Sequence, residues 1–92
     1  MAKTILVVDD DPEIQDLVSF ALRNEGYEVR SAKDAFEGLD IIANEKIDLV
    51  LLDVMMPEMD GLEMLSRLRA YNKDLRVIVM TALSAPEAGL SA

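Results

Sequence analysis

The apolar positions of this chain change period several times along its length. Ile5, Leu6, Val7 and Val8 form an unbroken apolar run, the pattern of a strand buried on both faces. After Asp9 and Asp10, Asp11 stands where it can cap a helix that opens on Pro12, where a missing N–H does no harm. Ile14, Leu17, Val18, Ala21 and Leu22 recur at helical spacing, and Gly26 stops that helix. Tyr27, Val29 and Ser31 alternate with Glu28 and Arg30, which predicts a short strand with one polar face. Ala35, Phe36, Leu39, Ile42 and Ala43 predict a second amphipathic helix, weakened by Gly38 within it. Leu49 to Leu52 make a second continuous apolar strand, closed by Asp53.

Pro57 and Gly61 punctuate the loop that follows, and Leu62, Leu65 and Leu68 set out a third helix with Asp60 as its candidate cap. Val77 to Met80 predict a last strand ending at Thr81. Ser84, Pro86 and Glu87 have the order of cap, first position and capping-box acid, so a fourth helix starts there, close to the last residue, Ala92. Alternating strands and helices are the signature of a parallel sheet with helices on both faces. In such a sheet ligands sit beyond the carboxyl ends of the strands.

Composition narrows the chemistry. With 92 residues, 51% of them hydrophobic, the chain has room for one domain and one core. No linker, repeat or low-complexity tract divides it. The formal net charge of −9 argues against nucleic acid, whose phosphates call for clustered Lys and Arg, and against anionic membrane surfaces. The absence of cysteine and histidine excludes disulfides, thiolate nucleophiles, thiolate zinc sites, imidazole catalysis and imidazole metal ligation. Any metal must therefore be hard and oxygen-ligated. The N-terminal apolar run, broken by three aspartates, fits neither a signal peptide nor a membrane span, and a cysteine-free acidic chain suits the cytoplasm.

The polar candidates fall at the predicted strand ends. Asp9, Asp10 and Asp11 follow the first strand, Asp53 closes the third and Thr81 the fourth. Each has a plainer reading: Asp11 as a helix cap, Asp9 and Asp10 as loop residues, Asp53 as a turn former, Thr81 as an ordinary strand residue. Their joint placement favours chemistry. Crowded carboxylates repel unless a cation neutralises them, and Mg²⁺ is the natural candidate. An aspartate beside Mg²⁺ can act as a carboxylate nucleophile towards a phosphoryl group. A hydroxyl such as that of Thr81 and backbone N–H groups would then stabilise the transferred charge.

The segments Val7-Val8-Asp9-Asp10-Asp11, Leu51-Leu52-Asp53-Val54-Met55-Met56-Pro57-Glu58-Met59-Asp60-Gly61 and Val79-Met80-Thr81-Ala82 together resemble the receiver domain of bacterial two-component response regulators. The resemblance spans essentially the whole chain. It implies a flavodoxin-like (CheY-like), doubly wound sheet of strand order 2-1-3-4-5. It also implies that Asp53 accepts a phosphoryl group from a histidine kinase or a phosphotransfer protein. Asp10, Asp53 and the Met55 carbonyl would ligate Mg²⁺, Asp9 would act through water, and Thr81 and the Ala82 N–H would hold phosphoryl oxygens. Met55 and Leu83 occupy positions that tune dephosphorylation in the family, and Asp60-Gly61 would be architectural. Such a domain is a signalling switch whose only reactions are its own phosphorylation and dephosphorylation. An aspartyl-nucleophile phosphatase is a poor alternative, because the second aspartate it needs two residues after the nucleophile is Met55 here.

Against the family's pattern the sequence ends within the fourth helix. The fifth strand of that pattern, with its Lys-Pro pair and switch aromatic, and the fifth helix are missing, and none of Lys3, Lys33, Lys46 or Lys73 stands in the context of that lysine. A fragment and a naturally shortened member both fit. Phosphorylation is then expected to be slower or poorly read out, and the runner-up function is a protein-interaction module that no longer switches. A fourth strand left as a sheet edge, and a first helix missing its neighbour, predict self-association by edge pairing or helix exchange. Two groups of residues read blandly. The clustered methionines, Met55, Met56, Met59 and Met64, suit core or loop packing. Arg67, Arg69, Lys73 and Arg76 suit a solvated helix end.

Overall fold

The structure, a computed structural model, describes residues 2–53 and 61–80. Four parallel strands, β1 (Thr4–Val8), β2 (Glu28–Ala32), β3 (Leu49–Asp53) and β4 (Arg76–Met80), alternate with three helices, α1 (Pro12–Asn24), α2 (Ala35–Asn44) and α3 (Gly61–Tyr71). The sheet order is β2-β1-β3-β4. This is the expected doubly wound arrangement as far as its fourth strand. Among the described residues β4 pairs only with β3, in the register Leu49↔Arg76 to Asp53↔Met80. The expectations that concern Met55, Met56, Pro57, Met59, Asp60, Thr81, Ala82, Leu83 and the helix start at Ser84, Pro86 and Glu87 lie outside the described residues.

The strand at the centre of the fold carries an unbroken apolar run. Ile5, Leu6, Val7 and Val8 are all buried, because β1 has a strand on either edge and helices on both faces. Leu6, Val8, Val50 and Leu52 point to the side of α2 and α3 and meet Ala35, Met64 and Leu68 in the main core. On the opposite face α1 lies over β1 and β2.

The helix ends follow the sequence closely. Asp11 accepts the Glu13 N–H at 2.9 Å and Pro12 opens α1. At the other end Gly26 adopts φ +92°, and the Gly26 and Tyr27 N–H groups donate to the Arg23 and Leu22 carbonyls. Those two bonds make a Schellman stop, for which glycine is suited because it has no Cβ. Asp34 caps α2 by accepting the Glu37 N–H at 2.8 Å, while the Glu37 carboxylate accepts the Lys33 N–H. At the end of α3 the Arg69 guanidinium donates to the Asn72, Lys73 and Leu75 carbonyls. It is thus a structural cap, while Arg67 pairs with Glu63 one turn away.

Four expectations are corrected in detail. In β2 the buried residues are Val29 and Ala32, and Ser31 is exposed. Ala32 enters the core where the chain turns towards α2. In α3 it is Met64, not Leu62, that joins Leu68 inside, and Leu62 is 62% exposed. The helix is rolled so that Gly61, Met64 and Leu68 face the sheet. In α1, Leu17 and Ala21 are exposed, and Ser19 is the buried residue. Gly38, finally, lies at a close approach of α2 to the sheet: a Cβ there would stand 2.9 Å from Met64 Cε and 3.1 Å from Val8 Cγ2.

Only α1 covers its face of the sheet among the described residues. Beside it, over β3 and β4, runs an open groove of about 940 Å³ whose apolar floor includes Leu49, Leu51 and Ile78, with Lys3, Arg69 and Arg76 among its lining.

Candidate functional site

Parallel pairing places the ends of β1 and β3 side by side, with Val8 opposite Leu52. The next residue on each strand is an aspartate. One carboxylate oxygen each from Asp9, Asp10 and Asp53 lie within 4.8 Å of one another. Asp9 and Asp53 are only 4% and 3% exposed, while Asp10 is exposed. Three residues nominated from the sequence are therefore brought together, at the carboxyl edge of the sheet. Asp11 stays apart as the α1 cap.

The backbone around Asp9 is tightly held. Its N–H donates to the Ala32 carbonyl at 3.1 Å, extending the β1–β2 ladder by one residue. Its carboxylate accepts the Asp11 N–H at 2.9 Å, and its carbonyl accepts from Gln15 Nε2 at 2.7 Å. The same Gln15 nitrogen donates to the Ala32 carbonyl at 2.6 Å. The sequence reading passed over Gln15. A signal was available, since Gln15 shares the inner face of α1 with Ser19 and Leu22 at spacings of four and seven.

The electrostatics are those of crowded acids. Burial pushes the Asp9 carboxyl above its ordinary value of 3.8, and the hydrogen bond from the Asp11 N–H pulls the other way. The charges of Asp53, Asp10 and Asp11 push it up further. A buried acid held in this state gains from a cation.

The donor set is all oxygen, which suits a hard divalent ion. Opposite ligands of an octahedral Mg²⁺ are roughly 4.2 Å apart, given its metal–oxygen distances of about 2.0–2.1 Å. The span of 4.8 Å across the three carboxylates is slightly wider, so small side-chain adjustments, or one intervening water, close it around such an ion. The residues fit the group. No helix among the described residues is long and apolar enough to cross a membrane.

Comparison with known proteins agrees with this geometry. The response regulator MprA of a Mycobacterium species (strain KMS) is 46% identical over the whole of this chain. The chain spans 41% of that relative's length, about two fifths. Among solved structures, the response regulator TrrA of Thermotoga maritima, crystallised in complex with Mg²⁺-BeF, superposes with a TM-score of 0.85. It is 42% identical, and the match covers 97% of this chain and 77% of that one. The crystal structure of the histidine kinase ThkA in complex with TrrA also matches, with a TM-score of 0.83, 42% identity, and coverage of 87% and 69%. The response regulator receiver domain family itself matches over residues 5–92. By sequence and by strand order alike, the chain belongs to the receiver domains of response regulators, a family of signalling domains.

Proposed function

We propose that this chain accepts a phosphoryl group on Asp53 from the phosphohistidine of a histidine kinase or phosphotransfer protein, with Mg²⁺ held at Asp9, Asp10 and Asp53. The observation that carries the reading is the convergence of three carboxylates from two strand ends, two of them buried, within 4.8 Å. That two solved relatives contain Mg²⁺-BeF or a histidine kinase supports it.

In the transfer, an Asp53 carboxylate oxygen attacks phosphorus and the P–N bond to the donor's imidazole breaks. The electron pair leaves with the imidazole, and an acyl phosphate remains on Asp53. Bound Mg²⁺ supplies positive charge that offsets the acids and the incoming phosphoryl oxygens. Burial keeps Asp53 out of bulk water, and β3 fixes its backbone between β1 and β4. Asp9, oriented by the Asp11 N–H, presents a fixed acceptor. Asp10 and Asp53 would be the direct ligands with the Met55 carbonyl, and Asp9 would act through water. Thr81 and the Ala82 N–H would hold the phosphoryl oxygens. The reading places the exchange in the cytoplasm.

Incubation with Mg²⁺ and a small-molecule phosphodonor, followed by intact mass, tests the assignment. A single phosphoryl adduct that is absent from Asp53→Asn supports it. A folded protein that gains no adduct overturns it and leaves an interaction module. The apolar surface gives that module, and self-association in general, a physical basis: Leu17 is 67% exposed, Phe20 66% and Ile78 52%. Self-association through α1 or the β4 edge would show as a mass above 10.2 kDa that rises with concentration in sedimentation equilibrium.

A further inference from the structure

Three consecutive peptide units run through the acidic loop, and each is fixed by a different contact. The Val8–Asp9 unit is held by the Asp9 N–H donating to the Ala32 carbonyl. The Asp10–Asp11 unit is held by the Asp11 N–H donating to the Asp9 carboxylate. The middle unit, between the two aspartates, is held through the Asp9 carbonyl by Gln15 Nε2 at 2.7 Å. That is the unit that decides where Asp10 stands relative to Asp9. Asp10 is exposed, so its side chain keeps rotamer freedom, and the backbone decides the point from which its carboxylate reaches out.

Gln15 sits half-buried on the first turn of α1, facing two carbonyls at 2.7 and 2.6 Å. Two carbonyl acceptors settle which end of the amide faces them, since only the NH₂ can donate. Both of its protons are used. One goes to the acidic loop and the other to Ala32, the last residue of β2. The side chain thus ties the β1–α1 connection to the β2–α2 connection.

We propose that Gln15 is a positioning residue for the cation site: by holding the peptide between Asp9 and Asp10 against the end of β2, it fixes the backbone from which their two carboxylates reach the ion. The proposal rests on the Mg²⁺-binding reading above. Gln15 meets Asp9 at its backbone carbonyl, not at its carboxylate, and acts through the backbone. Groups that orient metal ligands in this way typically change affinity by about tenfold or more when removed.

Magnesium titration of the full chain, followed by the amide NMR shifts of Asp9, Asp10 and Asp53, tests it. Two variants remove the donor: Gln15→Met keeps the length, and Gln15→Ala lets water reach both carbonyls, so a folding failure of one leaves the other. Val18→Ala, a half-buried position on the same helix, serves as the control for lost packing. The expected result is a dissociation constant for Mg²⁺ raised about tenfold in the Gln15 variants and within about twofold of the parent in Val18→Ala. Hydrogen exchange at the Asp10 and Asp11 amides should accelerate in the Gln15 variants without Mg²⁺, a local effect that Val18→Ala should not share. Gln15 variants that bind Mg²⁺ within about twofold of the parent overturn the proposal and leave the Mg²⁺ reading intact. A parent protein that takes up no Mg²⁺ overturns both.

Discussion

Replacing Gly38 with alanine sets two contributions of similar size against each other. In the interior of a helix alanine is favoured over glycine by about 1 kcal/mol. The new methyl group, however, would lie 2.9 Å from Met64 Cε and 3.1 Å from Val8 Cγ2. Carbon atoms in contact prefer about 3.5 Å or more, so Met64 must give way by roughly 0.6 Å and Val8 by roughly 0.4 Å. Met64 can swing its terminal methyl, but it is wholly buried and surrounded by core side chains. Val8 is stiff at χ1 and belongs to the central strand, one residue before Asp9. Overpacking of this kind costs about 1–3 kcal/mol. The net expectation is a loss of about 1 kcal/mol, read as a lower urea midpoint at unchanged m-value. Shortening the obstructing side chain should relieve it. In a Met64→Leu background, itself costing under about 1.5 kcal/mol, Gly38→Ala should be close to neutral. A Gly38→Ala protein that gains the full helix-propensity increment, with no coupling to Met64, would refute the close approach of α2 to β1.

Asp9→Asn should stabilise the metal-free protein at neutral pH, because it removes a buried charge and its repulsion with Asp53 while the amide oxygen can still accept the Asp11 N–H. The pH dependence has a definite sign. A folded-state value raised above 3.8 means that the native protein holds this proton more tightly than the unfolded chain. Stability contributed by Asp9 therefore falls as pH rises through that window, and the cost is complete above it. The advantage of Asp9→Asn should shrink towards pH 3.8 in paired urea melts; an advantage that grows on acidification would contradict the assignment. Magnesium should raise the unfolding free energy of the parent protein by about 2.7 kcal/mol at a hundred times its dissociation constant, read from urea melts, and do so far less for Asp53→Asn. Asp11→Ala removes a cap bond of 2.9 Å and should cost about 1 kcal/mol without abolishing Mg²⁺ binding, measurable by urea denaturation and metal titration of the same sample.

The sequence made the central strand, the first helix and the acidic cluster legible for different reasons. An apolar run with no polar interruption marks β1 as a strand suited to burial on both faces, although β4 carries a run of the same length at the edge of the described sheet, and Asp11-Pro12 and Gly26 delimit α1 through backbone rules that need no tertiary contact. Asp9, Asp10 and Asp53 could be grouped because a parallel sheet collects strand ends at one edge. What escaped depended on contacts between elements. The roll of α3 is set by what it meets, so Met64 displaced Leu62 from the core. Gly38 looked like a weak point in a helix until its neighbours, Val8 and Met64, were known. Gln15 was passed over for a similar reason: an amide in a helix is unremarkable until two carbonyls from separate connections are found in front of it.

The strand order has a kinetic consequence. β1 is synthesised first, yet both strands that flank it come later, and its contact with β3 ties Thr4 to Asp48, 44 positions away. Asp9 and Asp53 meet only when that long loop closes. Closing long loops is slow in any chain, and here the closure also brings two acids together. Their repulsion falls on whichever rate governs the joining of β3 to β1. If the carboxylates are already close in the transition state, divalent cations will accelerate refolding; if they meet later, the same cations will only slow unfolding. The site would then shape how fast the domain matures as well as how firmly it stands.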